Sequence, residues 1–184
     1  MFEKLSETKY TVSGKLSWAK VFLHNYEHRL KFMSKEKDYE DLFMVDLEMS
    51  PEDFAHMSFL RTNKDIKQDF RKDKKTGKIL FQFKRYVVMS VPSSDDEKSI
   101  PTNPPLVIDA EGNPMDGSTL IGNDSEGIIS FLLVPVNKDE TAFKVVLNGI
   151  KVTKLVEYKK GTAPPPPPVD VDCFGSGSDK EIPF

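Results

Sequence analysis

The chain has 184 residues, a single cysteine and a net charge of −3 at pH 7. One cysteine, Cys173, excludes an internal disulfide framework and a cysteine-based zinc site. No run of about 18 apolar residues predicts a membrane span, and residues 1–9 are too charged for a signal peptide. We therefore expect one soluble, cytosolic domain, since domains commonly run from about 100 to 200 residues.

Charge is distributed unevenly along the chain. Residues 161–184 carry four acidic residues and one lysine, a net −3, so residues 1–160 are neutral. Within that neutral part, residues 61–86 hold ten basic and three acidic residues, whereas residues 87–140 hold ten acidic and two basic ones. This segregation is more informative about a nucleic-acid ligand than the total charge.

Residues 10–22 show the alternation of a half-buried strand. One parity is apolar or aromatic: Tyr10, Val12, Leu16, Trp18 and Phe22. Gly14 indicates a bulge or sharp bend, which a small barrel needs to curl its first strand around two sheets. The parity places Trp18 in the core, but a bulge beyond Gly14 would turn it outward, so both interpretations stay open.

Residues 24–40 are polar and are interpreted as a long connection between the first two strands. They are either an ordinary solvated loop or a segment in which cations such as Arg29 and Lys31 hold phosphates while rings such as Phe32 stack on bases. His24 and His28 have the spacing of a helical metal pair. No further ligand accompanies them, so we expect no metal site.

A second strand is predicted over residues 42–49 and a helix after it. Ser50 is the expected N-cap and Pro51 the first helical residue, with acids in the first turn. The helix should reach about Arg61. The core is expected to receive Phe43, Val45, Leu47 and Met49 from the strand and Phe54 and Met57 from the helix.

A third strand is predicted over residues 79–91. Its inward side chains should be Ile79, Phe81, Phe83, Val87 and Met89, and its outer face should carry Gln82, Lys84, Tyr86 and Val88. An aromatic ring flanked by lysine and glutamine suits a base-stacking platform, and a solvated face with a tyrosine lying along it has the same pattern.

The remaining segments complete a mainly β fold. Residues 92–124 are loop-rich with a short strand at 106–108, and residues 128–136 and 142–158 predict two closing strands, the last bent near Asn148. We interpret the acidic residues of these loops as turn residues and not as calcium ligands, because an EF-hand loop needs glycine at the position that Pro114 occupies. We predict an OB-type five-stranded Greek-key barrel with one inserted helix and long loops. No motif for catalysis or cofactor binding is present, so an enzyme is not expected.

The composition changes to that of a linker after residue 160. Prolines 164–168 favour an extended spacer, and the acidic, Gly- and Ser-rich residues that follow are expected to be disordered when free. The chain should therefore divide into a barrel of residues 1–160 and a tail of residues 161–184. The tail residues expected to bind a partner protein are Asp179, Glu181, Ile182, Pro183 and Phe184.

The tip formed by residues 179–184 resembles the C-terminal tip of bacterial single-stranded DNA-binding proteins, which ends in acids followed by Ile-Pro-Phe. Short-tailed phages encode unrelated binding proteins with an acidic tail and a terminal Phe. Residues 12–22, 105–114, 121–125 and 147–152 resemble segments of OB-fold single-stranded DNA-binding proteins of tailed phages. The resemblance implies sequence-independent binding and protection of single-stranded DNA in phage replication, recombination and repair, in the cytoplasm of an infected bacterium. It also implies that the tail recruits a polymerase, helicase or nuclease.

The candidate DNA contacts follow from these patterns. Phosphates are expected to meet Lys15, Lys20, Arg29, Lys31, Arg71, Lys72, Lys84 and Arg85, and bases to stack on Tyr86, Phe32 and Trp18. The acidic tail could fold back on the basic groove and compete with DNA. The alternative is an adaptor whose barrel binds a protein partner instead of DNA. Exposed edge strands would permit pairing between two copies of the chain, so a homodimer is one expected possibility.

Overall fold

The computed structural model describes residues 1–30, 39–57, 70–72, 77–92, 97–135 and 143–158. Eleven strands and one helix lie within these ranges. The strands are β1 (Phe2–Lys4), β2 (Lys9–Lys20), β3 (Glu27–Leu30), β4 (Tyr39–Met49), β5 (Phe70–Lys72), β6 (Ile79–Tyr86), β7 (Val88–Pro92), β8 (Glu97–Pro101), β9 (Leu106–Ile108), β10 (Ser125–Pro135) and β11 (Phe143–Lys154). The helix is α1 (Pro51–His56). In this described part, no helix is long and apolar enough to cross a membrane.

Nine of the strands form one sheet in the order β5-β6-β4-β2-β10-β11-β9, with β1 beside β2 and β3 beside β4. The pairs are antiparallel except for β9 with β11, which is parallel. β11 also lies close to β6, which brings the two halves of the sheet together. The predicted OB-type barrel is confirmed, with β2, β4, β6, β10 and β11 as its principal strands.

The first barrel strand passes from one half of the barrel to the other near Gly14. Residues 9–16 of β2 pair with β10, and residues 15–20 pair with β4. A Cβ atom at Gly14 would lie 2.1 Å from the carbonyl oxygen of Glu48. Glycine therefore permits a backbone approach that no other residue could make. The bulge or bend predicted at Gly14 is not seen as a register shift there, since the shift in β2 lies between Ser17 and Lys20.

Side chains of one parity in each strand fill the barrel, and in β11 the buried parity changes at the bulge near Asn148. Buried in the core are Tyr10, Val12 and Leu16 of β2, Val45, Leu47 and Met49 of β4, Phe81 and Phe83 of β6, Ile129, Phe131 and Leu133 of β10, and Val145, Leu147, Ile150 and Val152 of β11. The ring of Phe83 lies 4.5 Å from that of Phe81 and 5.1 Å from that of Phe131, between centroids. Each such side chain contributes about 1.5 to 3 kcal/mol by its burial.

The helix begins as predicted but ends early. The hydroxyl of Ser50 accepts the Asp53 N–H at 3.1 Å, and Pro51 is the first helical residue. Met57 leaves helical geometry, with φ −85° and ψ 16°, and its side chain is fully buried in the core. The predicted end at Arg61 is wrong because α1 stops at His56; residues 58–61 lie outside the described part.

The second half of the predicted third strand is also wrong. β6 ends at Tyr86, and the Val87 N–H donates to the Asp41 carbonyl at 2.9 Å. β7 then begins at Val88 and pairs with β8 in a separate two-stranded sheet. In the sequence, Val87, Met89 and Val91 continue the apolar spacing of β6. The sequence pattern therefore did not reveal the break. The side chain of Met89 lies outside the described part.

Two predicted loops contain strands. β3 lies inside the predicted connection 24–40 and pairs with residues 39–42 of β4, so a ribbon extends from the barrel. The hairpin of β7 and β8 takes up part of the predicted loop after residue 91.

The last strand is shorter than predicted, since β11 stops at Lys154 and not at residue 158. The predicted bend near Asn148 is confirmed by a register shift opposite Ser130 and Phe131.

Candidate nucleic-acid interface

The outward parity of β2, β4 and β6 defines what we call the outer face, in which Leu42, Met44, Asp46 and Gln82 are buried and the other residues reach solvent. Its residues are Ser17 and Lys20 of β2, Leu42, Met44 and Asp46 of β4, and Gln82, Lys84 and Tyr86 of β6. They alternate with the core residues of the same strands. The predicted parity of Gln82, Lys84 and Tyr86 is confirmed, whereas Val88 belongs to β7. In OB barrels, the face of the second and third barrel strands is where oligonucleotides bind.

A chain of polar contacts, the polar network, crosses the outer face. Arg29 Nε donates to Glu40 Oε1 at 2.8 Å, and Arg29 Nη1 donates to Gln82 Oε1 at 3.1 Å. Gln82 Nε2 donates to Asp46 Oδ1 at 3.0 Å, and Arg71 Nη2 donates to Asp46 Oδ2 at 3.4 Å. The contacts link β3, β4, β6 and β5 across four neighbouring strands.

The carboxylates of the polar network lie beneath its arginines. The Asp46 and Glu40 side chains are 4% and 11% exposed, whereas those of Arg71 and Arg29 are 46% and 33% exposed. Buried carboxylates require partners, and the guanidinium groups provide them. A guanidinium has several N–H donors in one rigid plane, so each arginine is held in a fixed orientation with part of its plane toward solvent.

Two lysines share one row of the outer face. Lys20 of β2 and Lys84 of β6 are both cross-strand neighbours of Met44 and lie on either side of it. Adjacent strands are about 4.8 Å apart, so the two lysine Cα atoms are separated by about 10 Å. Within the part of the chain that the structure describes, Lys20 makes no ion pair.

Tyr86 lies at one end of the outer face, opposite Leu42. Its residue is 37% exposed, and its carbonyl oxygen accepts a hydrogen bond from the Thr102 hydroxyl. The backbone of Tyr86 is therefore fixed while its ring remains partly open to solvent. An exposed ring on a fixed strand can stack on a nucleobase.

The other predicted basic contacts are more scattered. Lys15 is exposed but has Glu48 and Glu126 as its two cross-strand neighbours. Arg85 is half-buried opposite Phe43, on the side away from Lys84 and Tyr86. The described structure also contains Lys72, which is exposed on β5 opposite Ile79. Outside the described residues lie Lys31, Phe32, Asp179, Glu181, Ile182, Pro183 and Phe184.

Trp18 lies at a bulge in β2. Ser17 and Lys20 pair with Asp46 and Met44, so the register of β2 shifts between them. Ala19 is buried in the core, while Trp18 is half-buried and is not part of the core cluster of described residues. The bulge therefore follows Ser17, not Gly14.

Two features of the ribbon, which consists of β3 and residues 39–42 of β4, were not predicted from the sequence. The first is the pairing of Arg29 with Glu40. The local signal of the polar network in the sequence is Asp46, an acidic residue inside the apolar run of β4. The second is a stack between His28 and Tyr39, whose ring centroids are 4.8 Å apart at an interplanar angle of 4°. His28 Nδ1 also lies 2.6 Å from Asp41 Oδ1. Both rings of the stack are exposed.

The predicted turns in the acidic segment are present. The Asn113 side-chain amide and backbone N–H donate to Asp109 at 3.0 and 2.7 Å, and these hydrogen bonds lower the pKa of Asp109 below its ordinary value. The Ser118 N–H donates to Asp116 at 2.8 Å and lowers the pKa of Asp116 in the same way. These two carboxylates accept hydrogen bonds within their own turns.

Two single-stranded DNA-binding proteins of bacteriophages are among the solved structures that are similar to this chain. A crystal structure of gp2.5, a single-stranded DNA-binding protein encoded by bacteriophage T7, superimposes with a TM-score of 0.53 and 15% identity, over 96% of this chain and 98% of that one. The single-stranded DNA-binding protein of bacteriophage Enc34, solved in complex with single-stranded DNA, gives a TM-score of 0.45 and 13% identity, over 84% and 94%. No protein-family model matches the chain, and no curated protein matches it significantly. The chain therefore shares the overall fold of the T7 protein.

Proposed function

We propose that this protein binds single-stranded DNA without sequence preference and protects it. The observation that carries the proposal is the row of Lys20, Met44 and Lys84 on the outer face, with Tyr86 beside it. This row occupies the surface on which OB barrels bind oligonucleotides. It combines cations for the phosphate backbone with an aromatic ring for a base. The shared fold with the T7 protein, which is a single-stranded DNA-binding protein, supports the same function.

The lysines and arginines have different roles in this proposal. Lys20 makes no ion pair within the described residues and supplies attraction to phosphates, with Lys84 as a second cation in the row. This attraction should weaken as salt rises because counterions are released on binding. Arg29 and Arg71 are already neutralised by Glu40 and Asp46. They therefore act as oriented hydrogen-bond donors to the DNA backbone more than as sources of long-range attraction.

The polar network also supports binding without sequence preference. Base-specific recognition requires hydrogen-bonding groups directed at base edges. On the outer face, both ends of the Gln82 amide and both oxygens of Asp46 are engaged with other side chains. Stacking on Tyr86 accepts any base, because every base has a π-face.

The ribbon offers a second stacking surface in the same proposal. His28 and Tyr39 lie on the side of β3 and β4 opposite Arg29 and Glu40. Their parallel rings are exposed and could stack on a base that continues beyond the outer face. Lys31 and Phe32 follow β3 in the chain and remain predicted contacts outside the described residues.

The tail is assigned a separate role on sequence grounds. Residues 161–184 would form an acidic arm whose tip, Ile182 to Phe184 with the adjacent Glu181, recruits replication or recombination proteins. The arm would also compete with DNA for the cationic outer face, since it carries a net charge of −3. Such a protein would act in the cytoplasm of an infected bacterium.

Fluorescence provides the test, because Trp18 is the single tryptophan. Oligo-dT should quench the Trp18 emission in low salt, and duplex DNA of the same length should have a much smaller effect. Quenching by neither, together with no change in the anisotropy of labelled oligo-dT, would reject DNA binding and favour the protein adaptor.

A further inference from the structure

Trp18 adopts a backbone conformation that side chains rarely take. Its φ is +52°, in the left-handed region, and it stands at the bulge of β2 between Ser17 and Lys20. Glycine is the usual residue at a left-handed bulge position, because it has no Cβ to strain the backbone. Strained residues of this kind persist where the surrounding structure holds them, and they cluster at functional sites.

Asn123 holds Trp18 in this conformation. The Trp18 N–H donates to Asn123 Oδ1 at 2.9 Å, although 105 residues separate them in the chain. The next residue, Asp124, is also left-handed, with φ +69°, and its N–H donates to the Leu16 carbonyl at 3.0 Å. Two left-handed residues thus secure the bulge against the turn at residues 122–125 from both sides.

The turn that carries Asn123 is itself fixed. Ser125 is fully buried, and its hydroxyl donates to the Gly122 carbonyl at 2.7 Å and accepts the Val156 N–H at 3.0 Å. A Cβ at Gly122 would lie 2.7 Å from the Val156 carbonyl oxygen, so the backbone packs tightly there. Asn123 therefore projects from a rigid support.

The bulge lies beside the outer face. Its flanking residues pair with Asp46 and Met44, the two β4 residues at the centre of that face. Ala19 occupies the inward position, which leaves the indole of Trp18 half-buried and outside the core. A core role would not require the strained conformation, because the relaxed parity of the strand already points inward.

We propose that the bulge is a preformed seat that presents the Trp18 indole to a nucleobase, and that Asn123 is the positioning residue of that seat. This rests on the proposed binding of single-stranded DNA. Because the backbone of Trp18 is held before DNA arrives, stacking requires less conformational ordering of this residue. Asn123 acts through the Trp18 backbone and does not itself contact the base.

The test measures the Trp18 emission and the anisotropy of labelled oligo-dT in the full chain. Trp18→Ala should lower the affinity by about 5- to 150-fold, the range expected for one stacked base. Asn123→Ala should lower it comparably and reduce the quenching at saturation. Asn123→Asp, which keeps the oxygen acceptor, should retain the quenching at saturation, while its added negative charge should weaken the affinity at low salt. Asn148→Ala is the matched control, since it removes an amide contact of 3.3 Å at the bulge of β11, and it should change neither.

Trp18→Gly separates positioning from a structural role. Glycine takes a positive φ without strain, so Trp18→Gly should be more stable than Trp18→Ala in thermal unfolding while binding DNA equally weakly. In the Trp18→Gly background, Asn123→Ala should cause no further loss of affinity, because no indole remains to be positioned.

Three results would overturn the inference. The first is an Asn123→Ala variant that is quenched and binds like the wild type. The second is an equal loss from Asn123→Ala in the Trp18→Gly background, which would mean that Asn123 acts independently of Trp18. The third is a wild-type protein that does not bind oligo-dT at all, which would reject the proposed function as well, whereas the first two results would leave that function intact.

Discussion

The side-chain amide of Gln82 donates to Asp46 Oδ1 at 3.0 Å and keeps a carboxylate buried within the outer face of the barrel. The other oxygen of Asp46 accepts from Arg71. Asp46→Ala should therefore leave a buried amide donor and a guanidinium without their acceptor. We expect the free energy of unfolding to fall by about 1 to 3 kcal/mol in urea titrations.

Asp46→Asn should have a different effect on DNA binding. It keeps the shape of the side chain but removes a negative charge from beneath the proposed phosphate path, so the affinity for oligo-dT should rise. Glu3→Gln is the control, because Glu3 is an exposed acid on β1 and its cross-strand neighbour, Thr11, does not belong to the outer face. Weaker binding by Asp46→Asn would show that the phosphates do not pass near this carboxylate.

Tyr86 should contribute through its ring and not through its hydroxyl. Tyr86→Ala is expected to weaken binding of oligo-dT by about 1 to 3 kcal/mol, the range measured for stacked bases. Tyr86→Phe keeps the ring and should bind almost as tightly as the wild type. Anisotropy titrations of both variants provide the measurement, and equal losses in the two would assign the effect to the hydroxyl instead.

The turn at Asp109 should be sensitive to acid. Hydrogen bonds from the Asn113 side chain and backbone hold the pKa of Asp109 below its ordinary value of 3.8. Because the folded pKa is lowered, the stabilisation is present above the ordinary value and is lost as the pH falls through the folded pKa. An NMR titration should show that Asn113→Ala raises the pKa of Asp109 toward 3.8. The pKa of Asp116, which is held by Ser118, should stay unchanged.

Removal of the tail should separate two activities. A chain truncated after Lys160 lacks the net charge of −3 carried by residues 161–184, so it should bind oligo-dT more tightly, with the largest gain at low salt. Phe184→Ala keeps the acids and should bind DNA like the full chain while losing capture of replication proteins. Unchanged or weaker DNA binding after truncation would refute competition by the tail.

The core and the parity of the outer face could be predicted from local pattern. Alternation in β4 and β6 identified Val45, Phe81 and Phe83 as inward and Lys84 and Tyr86 as outward, because one buried face imposes a period of two. Ser50 and Pro51 likewise predicted where α1 begins. These features depend on residues close together in the chain.

The remaining features depend on residues that are distant in sequence. β3 is held by backbone pairing with residues 39–42 and shows no apolar alternation, so the pattern gave no sign of it. The polar network joins Arg29 to Gln82, and the Asn123 side chain accepts a hydrogen bond from the Trp18 N–H. The pattern of a single sequence does not encode such contacts. It also predicts an outward lysine in the same way whether or not that lysine binds DNA.

Charge reversal on the outer face tests DNA binding there most directly. The variant Lys20→Glu with Lys84→Glu removes both cations of the central row, and the control Lys144→Glu with Lys154→Glu makes the same change in charge on β11. Anisotropy of labelled oligo-dT should be measured over a range of salt concentrations. Loss of two phosphate contacts should make the slope of log affinity against log salt shallower by about 1.4, with weaker binding at low salt, and the control should change little. Equal losses in the two variants, or no change in slope for the first, would contradict binding of single-stranded DNA on the outer face.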